Sequence, residues 1–418
     1  MSKDRRWAVL FTSLGVVLAA CGDDTGTGGD DQGGGGAGAG TSGGGGTGGS
    51  TTGGSGGLGG SGATGGLGGT GGTGGLGGTG GTGGTGAGGG GPEACELTAL
   101  TETKGGPIAV SQDDSLVITV NRDVGTVTIF DAVYTGGLPT LTERVELAVG
   151  GEPWQVAIDA CSTRAYVITR RDQELVVIDD LKGTPVVAAE VAVGSEPTGL
   201  VISPNNSTVY VANWVGGTVS VVDEITREVT STVDLNIALA GTLFLGPSVS
   251  DANSRAGLAH PRSLAITNDG DAEDSDETVV VTEFFGQRTA PEANDGSNVD
   301  TNWVGLVYTV NAASNDVDTI NLRSKTMDMT FPAAAGTGCF PNQLQGVTVK
   351  AGKAYVTSVC ASPRGVTNPK QMTHPALSIV DLATGTELAQ SPAILDGEMD
   401  AFYVTNGTAP PDARRGTK

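Results

Sequence analysis

Few residues in this chain could do chemistry. Only two histidines occur in 418 residues, His260 and His374, and each precedes a proline. That excludes a His-rich catalytic metal site. No CxxCH stretch is present, so the chain carries no c-type haem, and no GK[ST] follows a strand-like run, so its glycines build no P-loop. No nucleophile–base–acid set stands out. The acidic stretch "NDGDAEDSDE" (268–277) could hold calcium through Asp269, Asp271, Asp274 and Asp276. It lacks EF-hand spacing and reads equally as a solvated acidic turn. With 46 acidic against 23 basic side chains and a formal charge of −23, the chain offers no nucleic-acid surface, because phosphate binding needs clustered Lys and Arg.

The N-terminus places the remaining chemistry outside the cytoplasm. Lys3, Arg5 and Arg6 precede the apolar run "WAVLFTSLGVVLAA" (7–20), which is too short to span a bilayer as a stable helix. It ends in "LAAC" (18–21), which resembles the bacterial lipobox. The resemblance implies cleavage before Cys21, a lipid on its sulfur, and an anchor in a membrane of the cell envelope. Gly22 in place of Asp favours the outer membrane or cell surface over a periplasm-facing inner membrane. An ordinary secretory signal is the alternative. Residues 21–93 then form a lipidated Cys and a linker rich in Gly, Thr and Ser, in which Leu58, Leu67 and Leu76 recur every nine residues. So much glycine cannot bury enough apolar surface to offset its own ordering, so the expectation is a disordered tether spanning roughly 45–50 Å. Setting Cys21 aside leaves four cysteines, an even number for an exported domain. Cys339 with Cys360, and Cys95 with Cys161, are the expected disulfides. Metal binding by the four is disfavoured, since no CxxC pair exists.

From residue 94 onward the chain must build the frame that positions any site. Short β runs repeat with turn residues between them. "LVITVNRDVGTVTIFD" ends at Asp131, "AYVITRRDQELVVID" at Asp179 and "VYVANWVGGTVSVVD" at Asp223, with thirteen residues from Ile118, Tyr166 and Tyr210 to the respective Asp. Pro107, Pro153 and Pro197 open a further strand upstream of each, 46 and 44 residues apart. A fourth strand follows each Asp, as in "REVTSTVDL" (227–235). Four strands in about 45 residues, apolar at nearly every position, predict four-stranded antiparallel blades packed face to face in an all-β propeller. A β-sandwich ranks second. The units resemble the YVTN family of propeller repeats, on "AYVIT", "VYVAN", "AYVTS" and "FYVTN" (402–406), over roughly residues 104–406. Five units are recognisable, a sixth begins at "AFYVTN", and the family's usual seven blades suggest a shortened ring or a smaller one.

The repeat is broken on one side. Joining strand b to c takes eighteen more residues in blade 4 and thirteen more in blade 5 than in the first three, and the d–a crossing from blade 3 to blade 4 (236–260) is long. In a propeller these loops share a face, and irregular loops on a rigid ring are where binding resides. That face is expected to carry Trp214, His260, Arg262, Glu283, Phe284, Phe285, Arg288, Trp303 and His374. The same aromatics could instead cover the loops' own core. The expectation is a binding module for a protein, glycan or small ligand, with no cofactor unless calcium binds the acidic turn. Resemblance to lactonase-like propellers implies a second reading, a metal-dependent hydrolase, for which only His260, Glu283 and Asn213 are candidates. A third is the scaffold part of a larger redox or surface protein.

Overall fold

The computed structural model describes residues 103–244, 258–326, 338–363 and 373–395. The chain divides into two units, 1–86 and 87–418. The first lies wholly outside the described residues, as do Cys21, Cys95 and the "AFYVTN" segment.

The second unit is a β-propeller of antiparallel sheets. After β1 (Thr103–Lys104), the first blade holds β2 (Ile108–Val110), β3 (Leu116–Asn121), β4 (Thr126–Thr135) and β5 (Leu138–Ala148) in that order. The second holds β6 (Pro153–Ile158), β7 (Ala165–Thr169), β8 (Glu174–Asp179) and β9 (Val186–Ala192), and the third β10 (Pro197–Ile202), β11 (Thr208–Asn213), β12 (Thr218–Asp223) and β13 (Glu228–Asp234). A short helix, α1 (Leu235–Gly241), follows. The fourth blade has β14 (Pro261–Ile266), β15 (Thr278–Glu283), β16 (Gln287–Arg288), β17 (Trp303–Asn311) and β18 (Val317–Leu322). The fifth has β19 (Lys325–Thr326), β20 (Gly338–Lys350), β21 (Lys353–Ala361), β22 (Thr373–Asp381), β23 (Thr386–Glu387) and β24 (Ala393–Ile394).

The unbroken apolar runs have the cause expected of them. Every residue of β7 and β10 is buried, because each middle blade is covered on both faces. Four apolar layers lie between successive blades, represented by Ile118 with Val167, Ile168 with Val211, Tyr210 with Leu264, and Val307 with Val356. Each such side chain removed from water contributes about 1.5–3 kcal/mol. The fifth blade differs. Ala354, Val356, Ser358 and Cys360 of β21 are buried while Tyr355, Thr357 and Val359 between them are not, so one face of this sheet lacks a covering layer among the described residues. The inner strands pack in the order β2, β6, β10, β14 and β20, with no comparable packing of β20 on β2 among the described residues.

Three features were not legible beforehand. β1 pairs antiparallel with β10, Thr103 opposite Ile202 and Lys104 opposite Val201. Gly106 then bridges Val156 of β6, and the Lys104 ammonium donates to the Val347 carbonyl of β20. The chain thus runs along the propeller axis from the a–b end before it starts the first blade. The d–a crossing also begins as α1 rather than as irregular loop. Its N-cap Asp234 accepts from the Asn236 N–H, and Leu235 and Leu239 join the apolar layer between blades 3 and 4. Asn236 ties the crossing to the blade 3 b–c turn through Gly216 O at 2.9 Å, and accepts from Ala259 N–H at 2.9 Å. Gly217 (φ 66°) faces it so closely that a Cβ would sit 2.3 Å from Asn236 Oδ1. Finally, the Asp closing strand c is a turn cap. Asp223 Oδ1 accepts from Ile225 N–H, Thr226 N–H and the Thr226 hydroxyl, and these bonds hold its carboxyl below the ordinary range.

Candidate functional site

The blades present their b–c and d–a connections at one end. Three repeat positions point there: the residue before the inner-strand proline, the last residue of strand b, and the residue after it. The last residue of strand b is Asn121, Thr169, Asn213 and Glu283 in blades 1 to 4. Asn121 Nδ2 donates to Thr126 and Thr128, and Asn213 Nδ2 repeats this to Thr218 and Ser220. Glu283 breaks the pattern with a charge. Its carboxylate is 0% exposed, and Oε2 accepts from the Tyr308 hydroxyl at 2.9 Å and the His260 N–H at 2.8 Å. Burial and this carboxylate push the Tyr308 hydroxyl well above its ordinary pKa. Glu283 Oε1 and Asn213 Oδ1 are buried without a hydrogen-bond partner among the described residues, and His260 Nδ1 lies 3.7 Å from Oε1.

The residue after strand b begins the aromatic part of the face. Trp214 meets His260 at 5.1 Å, Phe284 at 5.0 Å and Phe285 at 5.9 Å, all edge to face. Phe285 closes on His260 at 5.0 Å and remains 42% exposed. Four of the expected residues therefore form one ring cluster across blades 3 and 4. Arg288 and Trp303 stand apart in the blade 4 insertion, which forms a hairpin of β16 on β17. There the Arg288 guanidinium lies over Trp303, which stacks on Phe340 of blade 5. His374 is not displayed. It is 3% exposed within β22, opposite Cys360.

Arg262 joins a group that the sequence reading missed. Its guanidinium lies 5.4 Å from the centroid of Trp154, the second residue of β6. Arg122 lies 3.6 Å and Arg170 4.4 Å from the same centroid. Arg122 and Arg170 occupy the repeat position of Trp214 and Phe284, so aligning the residue after strand b would have found them. Glu152 and Glu196, each just before an inner-strand proline, bind Arg170 at 3.3 and 2.6 Å. Both hold left-handed backbone, φ 57° and 51°, a conformation that costs a non-glycine residue about 1 kcal/mol or more.

The other expected sites lie elsewhere. Asp269, Asp271 and Asp276 bring carboxylate oxygens within 4.8 Å of one another on the exposed a–b turn of blade 4. Asp274 leaves them to accept from the Ser203 hydroxyl at 2.6 Å and Asn205 N–H at 2.9 Å in the blade 3 turn. Cys339 and Cys360 are disulfide-bonded. Cys161 is disulfide-bonded as well, and its expected partner Cys95 lies outside the described residues.

No known protein family and no curated protein matches the chain. Solved structures do. Hydrazine synthase of Kuenenia stuttgartiensis is similar at 18% identity and a TM-score of 0.45, over 69% of this chain and 67% of that one. The Cps50 (Swd1) β-propeller domain of Myceliophteria thermophila shows 9% identity and 0.38, over 67% and 71%. A putative 6-phosphogluconolactonase from Bacteroides uniformis shows 12% identity and 0.34, over 51% and 52%. The propeller itself is read from the chain's own successive antiparallel sheets.

Proposed function

We propose that the protein is an exported lipoprotein, anchored in the cell envelope through an acylated Cys21, and that its propeller is a binding module acting through the b–c and d–a end. The observation that carries this reading is the ring cluster of Trp214, His260, Phe284 and Phe285. It draws on two blades and leaves Phe285 facing solvent, as an aromatic ligand platform does.

The hydrolase reading has the His260–Glu283 pair in its favour. That pair does not fit a divalent metal. Among the described residues, the group of three or more carboxylate, imidazole or thiol ligands that converges is Asp269, Asp271 and Asp276, at the other end.

A thermal-shift screen of sugars, uncharged aromatic compounds and peptides against the full chain tests the binding reading. At least one class should raise the melting temperature, and Phe285→Ala, which also loses three ring contacts and so lowers the unliganded melt somewhat, should abolish that rise. If no class stabilises the protein while lactones are hydrolysed, the module reading fails and the enzyme reading replaces it. Cys21→Ser should move the protein from the membrane to the soluble fraction, and membrane retention of that variant would contradict the anchor.

A further inference from the structure

Trp154 lies between three cations in a chain whose formal charge is −23. The three do not share the same surroundings. Arg170 is neutralised, bound by Glu152 and Glu196. Arg122 is exposed and feels Glu152 and Asp123 without bonding to either. Arg262 reaches in from the inner strand of blade 4, is half-buried, and has no carboxylate partner among the described residues. Burial and the nearby Arg170 and Arg122 push its pKa below the ordinary guanidinium value. Guanidinium groups are placed this way at a cost in desolvation and mutual repulsion. A bound anion would relieve both.

We propose that Arg262, Arg122 and Arg170, set around the Trp154 ring, form a binding site for a small soluble oxyanion, a carboxylate or phosphate group. The proposal rests on the reading that this end of the propeller binds ligands, and it names what one half of it takes. The guanidinium fork matches a planar or tetrahedral oxyanion, and stacking on the indole fixes the fork's orientation before the anion arrives. Glu152 and Glu196 hold Arg170 in place, while Arg262 and Arg122 have no ion pair among the described residues. The incoming residues Gly105 and Gly106 bond to Leu200 and Val156 of the neighbouring inner strands.

Titration of the full chain with inorganic phosphate and with citrate, at constant ionic strength held with chloride, tests the proposal by calorimetry and tryptophan fluorescence. Saturable binding of at least one of the two is expected. Arg262→Gln should weaken it about tenfold, the loss of one charge-assisted contact. Arg122→Gln, at an exposed position where folding is not at risk, should also weaken it. Glu196→Gln should tighten it by freeing Arg170 of one carboxylate. Absence of saturable binding by both anions, or affinity unchanged in both arginine variants, would overturn the site. Phe285→Ala should leave anion binding intact. Loss of the anion site with retention of Phe285-dependent stabilisation would refute this inference alone and leave the binding module standing.

Discussion

At the residue that follows strand b, blades 1 and 2 carry Arg122 and Arg170, whereas blades 3 and 4 carry Trp214 and Phe284. The backbone is the same in blades 2 to 4. Arg170, Trp214 and Phe284 each donate their N–H to the carbonyl of the residue before the inner-strand proline, at 3.0 Å. The repeat therefore fixes where this side chain points and leaves its chemistry free. One half of the face has become a ring cluster that packs on itself, and the other a group of cations that repel one another. A cluster that packs adds stability, and a cluster that repels does not, so the two halves should respond oppositely to mutation.

The largest effect is expected in the aromatic half. Trp214→Ala removes the ring that Phe284, Phe285 and His260 all touch, and should cost about 2–3 kcal/mol in a denaturant or thermal melt. A cost near zero would erase the distinction between the halves. Next comes the residue before strand c, which is left-handed in both. Gln173 (φ 63°) in blade 2 tolerates a side chain, but Gly217 in blade 3 faces Asn236. Gly217→Ala should cost about 1–3 kcal/mol, while Gln173→Gly should change stability by less than about 1 kcal/mol.

A pH effect sharpens the same contrast. Burial, with the Asp274 charge adding to it, pushes Tyr210 of blade 3 up to about 12. A raised folded pKa means that this contribution is complete below the unfolded tyrosine value of about 10 and is lost as pH rises through the folded one. The alkaline limb of stability should therefore fall between about pH 10 and pH 12, and Tyr210→Phe should make it shallower. An unchanged limb in that variant would refute the assignment. The smallest stability effect is expected in the cationic half. Arg122→Gln should shift the melt by about 0.5 kcal/mol or less, because among the described residues its exposed charge has no ion pair and loses only its stacking on Trp154.

The fold was legible where its cause is local. Prolines at fixed spacing began inner strands at Pro153 and Pro197, and continuous apolar runs marked blades covered on both faces. What escaped depends on distant partners. β1 is defined by pairing with β10, about a hundred residues away, which no periodicity of its own reveals. α1 is short and held by a capping Asp and by Asn236, not by helical patterning. At the candidate site, the inserted loops of blade 4 drew attention to His260, Phe284 and Phe285, and Trp214 of the adjoining blade packs on them. Trp154, Arg122 and Arg170 lie in blades without insertions, at ordinary repeat positions, and passed unnoticed. His374 sat beside an insertion in the sequence and proved to be a core residue.

The most direct test of the two-part face is a crystal structure of the protein soaked with selenate, an anomalously scattering oxyanion. The account predicts an anomalous peak within hydrogen-bonding distance of the Arg262 guanidinium beside Trp154, and none among Trp214, Phe284 and Phe285. Density from a protein carboxylate paired with Arg262, with selenate bound only elsewhere, would contradict it.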